Sequence, residues 1–181
     1  MKGEKKESVL PVDARDVANY ILDVADQNAV PITNLALQKI LYFCQGNFLT
    51  HFDKHLFHNP IEAWKFGPVI RSVYESFRTF GSEPISARVL HSDALDQRVY
   101  AERFEPDPAT RDFLDTIILS FAKMSASSLV HLTHAHGGPW RSAVQEHQQR
   151  ANVGLRIDDE VIRARFQQPA TTKPPTGYGG H

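Results

Sequence analysis

The chain of 181 residues is 41% hydrophobic and 23% charged, a composition suited to one soluble domain that buries a core without cross-links. Its net charge of −1, with histidine neutral, supplies no bulk positive field to draw in nucleic acid or an anionic membrane surface. A single cysteine, Cys44 in the apolar run ILYFCQ, excludes an internal disulfide and points to a reducing cytoplasm.

The N-terminus MKGEKKESVLP is basic and polar, with none of the apolar run of a secretory signal. No segment approaches the roughly 20 apolar residues that cross a bilayer. Residues 1–11 are expected to form a flexible arm. The other end, QQPATTKPPTGYGGH over residues 167–181, is rich in Pro, Gly and Thr and nearly free of aliphatic residues. Such a segment cannot bury enough surface to offset the entropy of ordering it, so it reads as a disordered tail. The folded unit is expected over residues 12–166.

Within that unit the dominant period is helical. Asp13 caps a first helix whose apolar face is Val17, Ile21, Val24 and Ala25. Pro31 and Thr33 start a second, with Leu37, Ile40, Leu41, Cys44 and Phe48 at helical spacing and Gln38, Lys39 and Gln45 on its other faces. Asn59-Pro60 breaks the pattern, and IEAWKF, bounded by proline and glycine, suits a brief extended segment.

Gly67-Pro68 is read as the start of a third helix, with proline in the first turn where its missing N–H does no harm. Val69, Val73, Phe77 and Phe80 would be its buried side, and Arg71, Glu75 and Arg78 its wet face. Ile85 to Leu90 and Arg98 to Phe104 suit a small hairpin or an irregular excursion. Asp107-Pro108 starts a helix carrying Phe113, Leu114, Ile117, Ile118 and Phe121. Ser125 caps a shorter one with Leu129, Val130 and Thr133, and Asp158 caps a last one with Val161, Ile162 and Phe166. The expected fold is mostly α: a single compact helical domain of about six helices with at most a small β element.

Two histidine groups invite a metal reading. In LVHLTHAHGGPW, His131, His134 and His136 are close together, but Gly137-Gly138-Pro139 ends the helix and turns His136 away. Zinc needs three or four converging ligands, and neither HExxH nor a cysteine partner is present. A helix C-terminus, where histidine meets the negative end of the dipole, accounts for the cluster better than a metal does. In HFDKHLFH, His51, His55 and His58 share a face if the helix runs that far, with Asp53 near; Asn59-Pro60 argues that it does not. Cys44 on an apolar face is inert, and GxSxG elbows and phosphate loops are absent. Lys65, Arg71, Arg78, Arg88, Arg98 and Arg103 interleave with Trp64, Phe66, Tyr74 and Phe77, a weak nucleic-acid pattern because most of those aromatics fall on the core period.

Three ordered segments carry a more specific signal: LALQKILYFCQGNFL (35–49), IEAWKFGPVIRSVYESFRTFG (61–81) and SASSLVHLTHAHGGPWRSA (125–143). Together they resemble the Panacea-domain antitoxins, the phage-associated GepA-like family that includes the SocA-type antitoxins. Leu37, Gln38, Lys39, Leu41 and Tyr42 match the first motif. Trp64, Gly67, Pro68, Val69 and Tyr74 match the second, and Leu129, Thr133, His134, Pro139 and Trp140 the third. The doubled Gly137-Gly138 before Pro139 is a variation.

The resemblance implies a non-enzymatic antitoxin that neutralises a cognate protein toxin, and in the SocA-type case an adaptor that delivers the toxin to the ClpXP protease. It assigns no catalytic residue, metal or cofactor. The motif residues read physically as scaffold: Gly67 and Pro68 set a turn, Trp64 and Trp140 bury area, and His134 or Tyr42 satisfies internal polar groups. Partner contact is expected on exposed arginine and aromatic side chains, first on Arg71, Glu75 and Arg78. The rival readings are a metal-dependent enzyme using the histidine clusters and a DNA-binding autoregulator.

Overall fold

Thr33 opens helix α2 (Asn34–Phe52) by accepting a hydrogen bond on Oγ1 from the Ala36 N–H at 3.3 Å, and Asp53 closes it in the left-handed conformation that Asp tolerates better than most residues. The computed structural model to which this helix belongs describes residues 7–92, 99–100, 103–134, 138–146 and 154–167. Seven α-helices occur among the described residues, making the domain mostly α. Helix α2 is its axis. Around it pack α1 (Ala14–Gln27), α3 (Arg71–Phe77), α4 (Pro108–Ala122), α5 (Ala126–Thr133) and α7 (Asp159–Phe166), while α6 (Pro139–Glu146) packs on α7.

Three of the expected caps make their side-chain bond, while Asp158 stands at the start of α7 without one. Asp13 accepts from the Arg15 N–H at 2.8 Å, Asp107 from Thr110 at 3.0 Å with Pro108 in the first turn, and Ser125 from Ser128 at 3.1 Å. The apolar stripes named from the sequence bury as expected on α1 (Val17, Ile21, Val24, Ala25) and on one side of α2 (Leu37, Ile40, Leu41, Cys44, Phe48). On α4 the burial falls on Leu114, Ile118 and Phe121, whose ring stacks on Phe43 at 4.1 Å.

The other side of α2 departs from expectation. Gln38, Lys39 and Gln45 are 1%, 0% and 2% exposed. A helix with one apolar stripe is normally half solvated, but α2 is surrounded, so its polar residues go inside and must find partners there.

The stretch Gly67–Val69 is a strand, not the first turn of a helix. β1 (Glu62–Trp64) pairs antiparallel with β2 (Gly67–Val69) in the register Glu62↔Val69, Ala63↔Pro68, Trp64↔Gly67, closed by the two-residue turn Lys65-Phe66. Pro68 fits because it occupies the non-hydrogen-bonded place in the ladder, where its missing N–H is not required. Helix α3 starts only at Arg71. The outer edge of β1 is covered in turn: the Ala63 N–H donates to Leu155 O at 2.7 Å and Ile157 to Ile61 O at 2.9 Å.

Ile85 and Val89 are buried in irregular chain, Val89 held at both its N–H and its C=O by the Asn19 side chain at 2.9 and 3.0 Å. A second ladder pairs β3 (His91–Ser92) with β4 (Val99–Tyr100). The seventh helix, α6, goes beyond the six expected: Pro139 does not close a turn but stands at a helix start, where its missing N–H is not needed. Residues 1–6 of the expected arm and 168–181 of the expected tail lie outside the described residues. Within the rest of the arm, the Ser8 N–H donates to Glu105 O at 2.9 Å.

Helix α7 closes the bundle where Phe166 lies against Gly46 of α2, edge-on to Tyr42 and Phe43. A Cβ on Gly46 would stand 2.4 Å from that ring. Gly46→Ala is therefore expected to destabilise the fold by about 1–3 kcal/mol, although alanine for glycine ordinarily favours a helix by roughly 1 kcal/mol. In a Phe166→Ala background the same change should become neutral or stabilising, which urea unfolding of the four proteins in the cycle measures.

Candidate functional site

The Lys39 side chain runs from α2 into the hairpin and ends fully buried, its Nζ donating to Pro68 O at 2.8 Å. Because Pro68 takes the non-hydrogen-bonded place in β2, its carbonyl points away from β1 and is free to accept this bond. Gly67 beside it has φ +97, and a Cβ there would lie 2.6 Å from Thr133 Oγ1 and 3.0 Å from Lys39 Nζ. Only glycine fits, on backbone and on space alike. Thr133 ends α5 and turns its hydroxyl inward, donating to Val130 O at 2.8 Å. Burial pushes the Lys39 ammonium down to about 7.

Neighbouring bonds lock the same junction. Gln38 Oε1 accepts at 2.9 Å from the N–H of Ile70, the residue just before α3, and its Nε2 donates to Asn34 Oδ1 at 3.1 Å. Asn34 Nδ2 donates to Tyr74 O at 3.1 Å. Trp140, from α6, donates through Nε1 to Trp64 O at 2.7 Å. Its indole packs on the His134 ring with centroids 4.0 Å apart. The buried Nε2 of His134 has no hydrogen-bond partner among the described residues. Burial, followed by the nearby Lys39 charge, holds His134 below the ordinary histidine range.

Glu62 is the residue that the sequence reasoning passed over. It is 6% exposed and accepts from Trp64 Nε1 at 2.7 Å, from Arg71 through two nitrogens at 3.1 and 3.0 Å, and from the Gly154 N–H at 2.8 Å. Burial pushes its carboxyl up, but the bonds from Arg71, Trp64 and Gly154 outweigh that and hold it below the usual range. The signal was present: Glu62 and Trp64 are two apart on a strand and so share a face. The same pair engages Arg71, expected for partner contact: it bonds Glu62 while its side chain stays exposed, and its guanidinium lies 5.9 Å over the Trp64 ring. Glu75 and Arg78 are exposed and pair with each other at 3.0 Å.

The histidines do not gather. His51 stacks on Phe113 with centroids 4.6 Å apart, His55 faces Gln45 at 3.1 Å and Asp159 at 3.9 Å, and His58 is exposed beyond the end of α2. Asp53 pairs with Arg163 of α7. His131 is exposed, and His136 with Gly137 lies outside the described residues. No three His, Cys, Asp or Glu side chains group to hold a metal among the described residues. Cys44 is buried, and burial pushes its thiol well above the ordinary value. Of the arginines in the nucleic-acid pattern, Arg71 pairs with Glu62, Arg78 with Glu75, and Arg88 with Asp23 at 2.8 Å and also with Asp26, while Arg98 lies outside the described residues. No single helix among the described residues is long and apolar enough to cross a membrane.

The segments meeting at Lys39 are far apart in the chain, and one family model spans all of them. The model of the SocA-like antitoxins with a Panacea domain matches residues 37–141, from Leu37 on α2 to the residue after Trp140. The chain belongs to this family. It is also 40% identical over 169 residues to "Antitoxin SocA" of Caulobacter vibrioides (strain NA1000 / CB15N), covering 93% of this chain and 90% of that protein. No solved structure matches it. Within that matched span, Lys39, Trp64, Gly67, Pro68, Thr133, His134 and Trp140 meet at one junction between α2, the β1–β2 hairpin, α5 and α6.

A titration checks this geometry. Between a folded value of about 7 for Lys39 and its ordinary 10.5, the unfolded chain binds more protons than the folded one. Stability should therefore rise with pH across that window, by up to about 1.4 kcal/mol per unit. Above pH 9 the raised Cys44 thiol works in the opposite sense, so pH 7 to 9 is the clean interval. Lys39→Met should flatten the rise there, as read by urea unfolding at several pH values.

Proposed function

We propose that this protein is a non-enzymatic cytoplasmic antitoxin that binds and neutralises a cognate protein toxin and presents the bound toxin to the ClpXP protease. The observation that carries the reading is the 40% identity with Antitoxin SocA across 93% of the chain. The physical character of the motif region agrees with it. Its ionisable groups, Lys39 and Glu62, are buried and spent on holding segments together. What the scaffold offers to another molecule is its outer surface, where Arg71, Glu75 and Arg78 of the α3 region remain candidate contacts. Sequestration alone would need only that surface; delivery to a protease needs a second one, and the terminal segments outside the folded unit are candidates for it.

The test is genetic and biochemical together. The product of the adjacent reading frame should arrest growth when expressed alone and be harmless when this protein is co-expressed, and the two should co-purify. In a host lacking ClpX, the half-life of the toxin in the presence of this protein should lengthen several-fold. An unchanged half-life with growth still protected would leave sequestration as the mechanism and remove the adaptor role.

A further inference from the structure

Large apolar side chains exposed among the described residues are few: Val9, Leu35, Phe66 and Leu90. Two of them, Leu35 and Phe66, share one groove of about 350 Å³. Leu35 stands at the start of α2, 38% exposed, and Phe66 at the tip of the β1–β2 turn, 58% exposed. Between them lie Trp64, Val69 and Tyr74, with the Tyr74 ring edge-on to Trp64 at 4.9 Å. An aromatic at the tip of a two-residue turn gains nothing for the fold by facing water.

The groove is also charged in one sense. Lys65 and Arg78 line it, and no carboxylate does. Lys65 makes no ion pair among the described residues and lies 5.3 Å from the Phe66 ring centroid. Among the described residues Arg78 pairs with Glu75, itself nearly half exposed. The backing is rigid: Pro68 is held by Lys39, Ile70 by Gln38 and Trp64 by Trp140. A surface ordered before binding loses little freedom when a partner arrives.

We infer that this groove is the toxin-docking site, and that its occupant is a segment of the toxin carrying a large apolar side chain flanked by carboxylates. The apolar side chain lies among Leu35, Trp64, Phe66 and Tyr74, where buried aromatic contacts concentrate binding energy. The carboxylates meet Lys65 and Arg78 and set orientation and the rate of encounter. This assignment rests on the antitoxin reading above. It moves the centre of the interface from the outer face of α3 to the hairpin tip.

The experiment uses the full-length protein and the purified toxin from the adjacent reading frame, titrated calorimetrically at low and high salt. Phe66→Asp and Leu35→Asp should each weaken binding by about 30-fold or more. Lys65→Glu should weaken it about tenfold and reduce its salt dependence. Leu90→Asp, equally exposed but off the groove, should bind as the native protein does. Because all four positions are exposed, unchanged thermal unfolding of each variant verifies that the fold is intact.

If the native protein binds toxin and folded Phe66→Asp binds it equally well, the groove assignment fails while the antitoxin reading stands. If the native protein does not bind the toxin at all, both fail. Two further results would also overturn the assignment: a native dimer that Phe66→Asp dissociates with toxin binding unchanged, which makes the occupant a second copy, or Phe66-dependent binding of a single-stranded oligonucleotide with none of toxin.

Discussion

A lysine ammonium with no access to water is the constraint around which this fold is arranged. Taking such a charge out of solvent costs several kcal/mol, which is why burial pushes Lys39 down to about 7, and Nζ spends one of its donors on Pro68 O at 2.8 Å. That single bond dictates much of its surroundings. The strand must present a carbonyl outward, which the register of Pro68 does. The residue before it must lack a Cβ, because Thr133 Oγ1 and Lys39 Nζ occupy the space. The helix carrying Thr133 must end there, so that α5 and the hairpin close on α2 from two sides. A methionine in place of lysine would fill the volume without specifying which carbonyl it faces. Lys39 therefore sets register as much as stability.

The second consequence is a division of labour between inside and outside. Glu62 gathers Trp64, Arg71 and Gly154 on one carboxylate, and Gln38 holds the first N–H of the α3 region. These bonds make the hairpin rigid up to Trp64 and from Gly67 onward. Within the hairpin only the turn residues between, Lys65 and Phe66, are exposed. A rigid hairpin with an apolar and a cationic residue at its tip is a surface prepared for a partner, whereas the buried junction below it offers none of its reactive groups.

The sequence on its own determined the caps, the apolar stripes of α1, α4 and α7, and the three motif segments, because each depends on neighbours within a turn or two of the chain. Asp13, Asp107 and Ser125 act where their local spacing placed them. The family was legible for the same reason: the motifs are contiguous strings. Only the tertiary structure decided that Gln38, Lys39 and Gln45 lie inside, that Arg71 belongs to Glu62, and that Gly67-Pro68 is a strand while Pro139 begins a helix. Periodicity assumes that a helix has one wet side, and α2 has none, since elements distant in sequence surround it. A glycine–proline pair reads alike in a strand and at a helix start until a long-range partner, here the Lys39 ammonium, requires its carbonyl to point one way.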